Sequence, residues 1–265
     1  MFNKIQYMNG IDFLIEDSIA TITLNRQEVF NSFNTAMAKA LQQCLDDCDT
    51  NENVRVVLLT ASGKAFCAGQ DLKEILGDNS IPVTQIVEEN YNPIILKIRQ
   101  LSKPVVIAVN GIAAGAGANI ALAGDIVVAK ASAHFVQAFS KIGLIPDCGG
   151  TYFLPRLIGP QMAAALMMTA DKVTAKEAVE MGMIFKAYPD EDFEMEVKTL
   201  VEKIASMPTK GLYYTKLLLN DTFSRTLPEQ LSNEAAYQTK AAATADFAEG
   251  VSAFIEKRIP TFTGK

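Results

Sequence analysis

The chain contains a single histidine, four cysteines and no tryptophan among its 265 residues. A Ser-His-Asp triad would need His134, and no Gly-x-Ser-x-Gly elbow accompanies it. His134 lies between Ala133 and Phe135 and is better explained as a half-buried structural residue. No evident histidine activates Cys148 as a nucleophile, and one histidine makes a poor metal centre. The sequence therefore predicts no metal site and no triad.

The chain also lacks an excess of positive charge, since 30 acidic residues outnumber 24 basic ones and the net charge is −6. This balance argues against nucleic acid or an anionic membrane as a partner. Residues 105–129 are nearly all apolar, but the turn dipeptide Asn110-Gly111 favours two buried strands around a short helix over a membrane span. Without a secretion signal, the cysteines are expected to be reduced and the protein cytoplasmic.

Apolar periodicity predicts an α/β fold of alternating strands and helices. After about residue 190 the pattern is almost purely helical and leaves apolar surface, which usually packs on the core or on a neighbouring subunit. Residues 74–82 have the composition of a mobile loop near the site. The predicted elements are a hairpin at 11–24, strands at 54–60, 105–109 and 125–129, and helices at 35–49, from 84 onward, near 115–123, and at 193–206, 209–222 and 245–257.

Two turns rich in small residues follow consecutive predicted strands. The first reads Lys64-Ala-Phe-Cys-Ala-Gly-Gln-Asp-Leu72, and the second reads Asn110-Gly-Ile-Ala-Ala-Gly-Ala-Gly-Ala-Asn119. Small residues let a ligand approach the backbone and leave amide groups free to donate hydrogen bonds. Two such amides directed at one carbonyl oxygen would form an oxyanion hole.

Asp147 is an isolated carboxylate in the apolar, turn-forming stretch Gly143-Leu-Ile-Pro-Asp-Cys-Gly-Gly-Thr-Tyr152. Apolar surroundings disfavour the charged form and raise the pKa of such a group. A carboxylate with a raised pKa can take and return a proton near neutral pH. The alternative is that Asp147 caps a helix beginning near Gly149. On this stretch alone the cap is the better interpretation, but the two turns favour an acid/base.

At these residues, and over essentially its whole length, the chain resembles the crotonase, or enoyl-CoA hydratase/isomerase, superfamily. The resemblance extends from Ile19-Ala-Thr-Ile-Thr-Leu-Asn-Arg26 to Glu249-Gly-Val-Ser-Ala-Phe-Ile-Glu-Lys-Arg258. It implies a crotonase-like spiral of stacked ββα units over residues 1–200 and a C-terminal helical trimerisation region over 201–265. It also implies a homo-oligomer, either a trimer or a dimer of trimers, that binds an acyl-CoA thioester.

The resemblance also implies the residues of the site. The amides of Gln70 and Ala116 would hold the thioester oxygen, and Asp147 would be the catalytic acid/base. No separate cofactor is implied, because coenzyme A is part of the substrate. Tails of this family reach the CoA of a neighbouring subunit, although Lys257 is equally well explained as a solvated cation at a helix end. The residues implied to contact substrate or CoA are Ala65, Ala68, Gln70, Asp71, Leu72, Gly115, Phe254 and Lys257.

The chain departs from the hydratases of the family, which use two glutamates. Asn119 and Phe139 stand at those positions, and Asp147 stands where hydratases usually carry glycine. Within the family the pattern most resembles the phenylacetate-degradation isomerases, which convert 1,2-epoxyphenylacetyl-CoA to oxepin-CoA and are also associated with moving a double bond in a later acyl-CoA. The predicted function is an acyl-CoA isomerase. The alternatives are another enoyl-CoA isomerase, a hydratase using Asp147 alone, and a non-catalytic binder of CoA thioesters or RNA.

Overall fold

The computed structural model describes residues 6–76 and 80–265. Within those ranges short strands alternate with helices, and the chain ends in a run of helices. A π-helical segment, Ile86–Tyr91, joins the second and third helices. The strands are β1 (Gln6–Met8), β2 (Ile11–Glu16), β3 (Ile19–Leu24), β4 (Val56–Ala61), β5 (Ala65–Cys67), β6 (Val105–Val109), β7 (Ile112–Ala114), β8 (Ile126–Lys130), β9 (His134–Val136), β10 (Lys172–Thr174) and β11 (Lys186–Tyr188). The helices are α1 (Thr35–Thr50), α2 (Val83–Gln85), α3 (Asn92–Gln100), α4 (Ala116–Leu122), α5 (Gly150–Ile158), α6 (Pro160–Thr169), α7 (Ala175–Glu180), α8 (Phe193–Ala205), α9 (Thr209–Asp221), α10 (Leu227–Ala242) and α11 (Ala245–Glu256).

The strands form two sheets. The larger has the order β1-β2-β3-β4-β6-β8-β11, and it is parallel from β3 onward. The smaller has the order β10-β9-β7-β5, with β5, β7 and β9 parallel. Successive strand pairs, such as β4 with β5 and β6 with β7, place one strand in each sheet before a helix returns the chain. This repeated ββα unit is the spiral that the resemblance implies.

The larger sheet is covered on both faces, as its continuous apolar strands predict. Every residue of β6 is buried, with Val105, Ile107 and Val109 in the main core. Val106 instead packs against Val201 of α8. Helix α8 therefore crosses the predicted boundary at residue 200 and covers the sheet of the spiral.

The C-terminal helices begin where the sequence predicts, and each ends one residue early. Helix α10 is the exception and was not predicted, because it lacks an apolar stripe that faces the core and none of its residues is buried. Residues 77–79 of the predicted mobile loop lie outside the described residues. In the two described ranges, each helix is too short or too polar to serve as a membrane span.

Candidate active site

The two turns of small residues lie against each other because β5 and β7 pair in parallel, with Cys67 opposite Ala113. Gly69 has a φ of +97°, a backbone conformation that favours glycine. A Cβ atom on Gly69 would lie 3.1 Å from the carbonyl oxygen of Ala114 and 3.7 Å from the nitrogen of Ala116. Glycine at this position therefore allows the first turn to reach the start of α4 in the second.

The N–H groups of Gln70 and Ala116 donate to no backbone carbonyl within the described part of the chain. Ala116 is the first residue of α4, where N–H groups have no intrahelical acceptor. Phe33 pairs with Gln70 in an isolated parallel β-bridge, but this bridge does not use the Gln70 N–H. Its hydrogen bonds run from Phe33 N–H to Gly69 O (2.7 Å) and from Asp71 N–H to Phe33 O (2.8 Å). Two free amides from two adjacent turns are thus available to a ligand.

Both amides belong to residues that line one cavity of about 230 Å³. The cavity lies between the two turns, the π-helical segment and the stretch that carries Asp147, and most of its walls are apolar side chains. It brings together six residues predicted from the sequence: Ala68, Gln70, Leu72, Gly115, Ala116 and Asp147.

Four other predicted residues do not line this cavity. Ala65 is buried within β5, and the Asp71 side chain forms an ion pair with Arg26 at 3.0 Å. Phe254, which is 86% exposed, and Lys257 lie at the end of α11, where Phe254 borders a different groove. Their contact with CoA bound to a neighbouring subunit stays a prediction.

The side chain of Asp147 does not cap the following helix. Helix α5 begins at Gly150, and its N-cap residue is Gly149, with no side-chain cap. Asp147 is half-buried, and its Oδ1 atom is removed from solvent without a hydrogen-bond partner among the described residues. The cap interpretation fails, and Oδ1 has no protein partner within the described ranges although Asp147 lines the cavity.

Burial raises the pKa of Asp147, and a hydrogen bond with the Cys148 thiol offsets part of this effect. Burial also raises the pKa of the Cys67 thiol to about 12 and that of the Tyr91 hydroxyl well above its usual value. These neighbours are therefore neutral at physiological pH. Lys141 lines the cavity from an exposed position.

The raised pKa of Asp147 predicts a pH-dependent stability. The contribution of Asp147 to the stability of the fold is fully present below the ordinary pKa of aspartate, and it is lost as pH rises through the raised pKa. We expect Asp147→Asn, which cannot ionise, to unfold at a higher temperature than the wild type at neutral pH. Thermal unfolding of both proteins between about pH 4 and about pH 8 measures the difference. A constant difference across this range would contradict the raised pKa.

Asn119 and Phe139 stand at the two positions that the family resemblance assigns to the glutamates of hydratases. Asn119 is buried, and its Nδ2 donates to the main-chain oxygen of Asp147 at 2.8 Å. Phe139 lines the cavity, 3.9 Å from where a Cβ atom on Gly115 would lie. Neither position supplies an acid.

Tyr91, at the end of the π-helical segment, was not among the predicted residues. Its hydroxyl donates to Gln70 Oε1 at 2.5 Å, and Gln70 Nε2 donates to Glu74 Oε2 at 3.1 Å. The Tyr91 ring packs edge-on against Phe33, with 6.1 Å between the ring centroids. These contacts hold the residue that carries one of the two free amides. The π-helical segment is the feature that points to Tyr91, since π-helical turns often lie at functional sites, but this segment is visible only in the structure.

Comparisons with known proteins identify the family of the chain. A profile of the family described as Enoyl-CoA hydratase/isomerase matches residues 14–265. The chain is 46% identical to the 1,2-epoxyphenylacetyl-CoA isomerase of Escherichia coli (strain K12), over 95% of this chain and 97% of that protein. It is 43% identical to a probable enoyl-CoA hydratase of Rhodobacter capsulatus, over 96% and 98% of the two chains. A crystal structure of a putative enoyl-CoA hydratase/isomerase from Mycobacterium abscessus superposes with a TM-score of 0.91 at 32% identity, over 96% of this chain and 100% of that one. The chain belongs to the enoyl-CoA hydratase/isomerase family.

Proposed function

We propose that the protein is an acyl-CoA isomerase in which Asp147 moves a proton between two carbon atoms of the acyl group. One observation carries this proposal: Asp147, whose Oδ1 is buried without a hydrogen-bond partner among the described residues, lines the same cavity as Gln70 and Ala116, whose amides are free. A buried carboxylate oxygen that accepts no hydrogen bond costs stability. Groups of this kind, with a pKa raised by burial, are concentrated at functional sites.

In this reaction the thioester carbonyl oxygen accepts hydrogen bonds from the amides of Gln70 and Ala116. The Asp147 carboxylate takes a proton from carbon, and the electron pair of the broken C–H bond moves through the acyl group onto the thioester oxygen. The two amides stabilise the resulting enolate. The protonated carboxyl then returns the proton to a different carbon, which restores both the thioester and the carboxylate. A carboxylate with a raised pKa suits both steps.

The proposed substrate is 2-(1,2-epoxy-1,2-dihydrophenyl)acetyl-CoA, with an oxepin-CoA as the product. In this conversion the C–C bond shared by the epoxide and the six-membered ring breaks, and its electron pair joins the double bonds of the resulting seven-membered ring. The proton that Asp147 takes from the carbon next to the thioester is returned to a carbon of that ring. The name of the Escherichia coli relative supports this choice, and so do the apolar walls of the cavity, which suit an unsaturated ring. Incubating the protein with the epoxide and following oxepin-CoA tests it directly. A chain that turns over 3-enoyl-CoA but not the epoxide would instead be a double-bond isomerase, which a single carboxylate also supports.

We expect little hydration of short 2-enoyl-CoA. Adding water requires a positioned water and a second proton donor, whereas Asn119 donates to the main chain and Phe139 is apolar. Steady-state assays with crotonyl-CoA should give far less than about ten turnovers per second. A rate at or above that value would favour a hydratase, the activity named for the Rhodobacter capsulatus relative.

We infer that the protein is a homo-oligomer, either a trimer or a dimer of trimers. Many large apolar side chains in residues 201–265 are exposed, including Phe223 (68%), Phe254 (86%) and Ile259 (88%). Clusters of this kind mark interaction surfaces. We expect light scattering on the purified chain to give the mass of three or six subunits. A stable monomer at micromolar concentration would contradict the inference.

We also propose that the protein works in the cytoplasm. All four cysteines are buried free thiols. Free thiols are typical of proteins in reducing compartments, where disulfides are rare.

A further inference from the structure

Two buried amide side chains, Asn119 and Gln137, lie in line behind Asp147. Asn119 is 0% exposed and Gln137 is 4% exposed. Gln137 Nε2 donates to Asn119 Oδ1 at 2.8 Å, and Asn119 Nδ2 donates to the carbonyl oxygen of Asp147 at 2.8 Å. Because Asn119 Oδ1 accepts from Gln137, its donor end must face Asp147. The hydrogen bond from Gln137 therefore fixes the orientation of the Asn119 amide.

The turn that follows Asp147 needs such support. Cys148 and Gly149 have φ values of +50° and +71°, and a non-glycine residue in this region is strained. The carbonyl of Asp147 also accepts from Gly150 N–H at 2.9 Å. A Cβ atom on Gly150 would lie 2.2 Å from Asn119 Nδ2, so the asparagine packs directly against the turn.

Neither Asn119 nor Gln137 lines the cavity. A ligand bound there meets the Asp147 carboxylate, and the two amides act only through the backbone of that residue. The hydrogen bond goes to the carbonyl and not to the carboxylate, so the turn is held while Oδ1 keeps no donor. The Cys148 thiol already donates to the carboxylate, and a further donor there would make it a weaker base.

We propose that Gln137 and Asn119 form a relay of positioning residues that fixes the Asp147 carboxylate at the reacting carbon. The proposal rests on the acid/base role proposed above for Asp147. A misplacement of about 1 Å can cost about a hundredfold in rate. Loss of the relay should therefore lower kcat and leave KM, which reflects contacts made elsewhere, nearly unchanged.

A double-mutant cycle tests the relay, with the acyl-CoA that the wild type isomerises as substrate. Asn119→Ala should lower kcat by about a hundredfold, with KM changed by less than about threefold. Gln137→Met keeps the shape of the side chain but removes the donor to Asn119 Oδ1. The Asn119 amide can then rotate by about 180°, and kcat should fall by about tenfold. The double variant should be no slower than Asn119→Ala, because residues that act through one another are not additive.

Asn220→Ala is the matched control, since Asn220 also donates to a main-chain oxygen, that of Arg99 at 3.0 Å, and lies in α9 away from the cavity. It should lower the melting temperature and keep kcat. If Asn119→Ala and Gln137→Met keep kcat within about twofold while Asp147→Asn is inactive, the relay is wrong and the proposed function stands. Effects that multiply in the double variant would also overturn the relay. If Asp147→Asn keeps its rate, the proposed function itself fails.

Discussion

Asp147→Asn should lose isomerisation by at least about a hundredfold, the lower end of the contribution that general acid–base groups make. Asparagine keeps the shape of the side chain but cannot take a proton from carbon. The relevant measurements are kcat with the substrate and the incorporation of deuterium from solvent into the acyl group. Both should fall together, because the same carboxylate removes and returns the proton.

Binding separates this effect from a general disturbance of the site. Acyl-CoA affinity, measured by calorimetry, should stay close to that of the wild type, since the amides of Gln70 and Ala116 are untouched. Asp12→Asn is a suitable control, because Asp12 is a half-buried carboxylate in the N-terminal hairpin that accepts a hydrogen bond from Asn25 at 2.8 Å. It should keep the full rate. An Asp147→Asn protein that retains most of its activity would remove the basis of the proposed reaction.

Local sequence was enough to locate the two turns and Asp147, and the resemblance to the family assigned the amides of Gln70 and Ala116. The turn residues follow strands whose apolar, β-branched runs are easily recognised, and Asp147 lies in an apolar stretch. The spiral brings both turns to one place because their strands occupy neighbouring positions in the smaller sheet. The residues that line the cavity were therefore predictable wherever function depends on backbone amides or on an isolated charge.

Contacts between distant parts of the chain were not predictable. The bonds from Tyr91 to Gln70 and from Asn119 to Asp147 join residues 21 and 28 positions apart, and the second bond connects different turns of the spiral. Nothing in the local pattern distinguishes these side chains from ordinary core polar groups. Strands β5 and β7 were also missed, because three residues are too few to show a period.

Ala116→Pro should lower kcat by about a hundredfold to a thousandfold, the cost of removing one oxyanion-hole donor. Proline deletes the N–H group proposed to hold the thioester oxygen. The first position of a helix tolerates proline, because its N–H has no intrahelical acceptor. Gly115 precedes it and has no Cβ to clash with the ring. The chain already begins α6 with a glycine followed by Pro160, so the fold should survive.

Ala245→Pro supplies the control for this substitution, since Ala245 is the exposed first residue of α11 and lies outside the cavity. It should keep kcat, and both variants should show a circular dichroism spectrum like that of the wild type. If Ala116→Pro folds and loses less than about tenfold in rate, the amide of Ala116 does not hold the thioester oxygen.

The pairing of Ala116→Pro with Asp147→Asn is informative because the two substitutions remove different parts of one step. The first leaves the base and removes a donor to the enolate, and the second leaves the donors and removes the base. Deuterium exchange should therefore be slowed in both, and acyl-CoA affinity should weaken only in Ala116→Pro, where a bond to the bound thioester is lost.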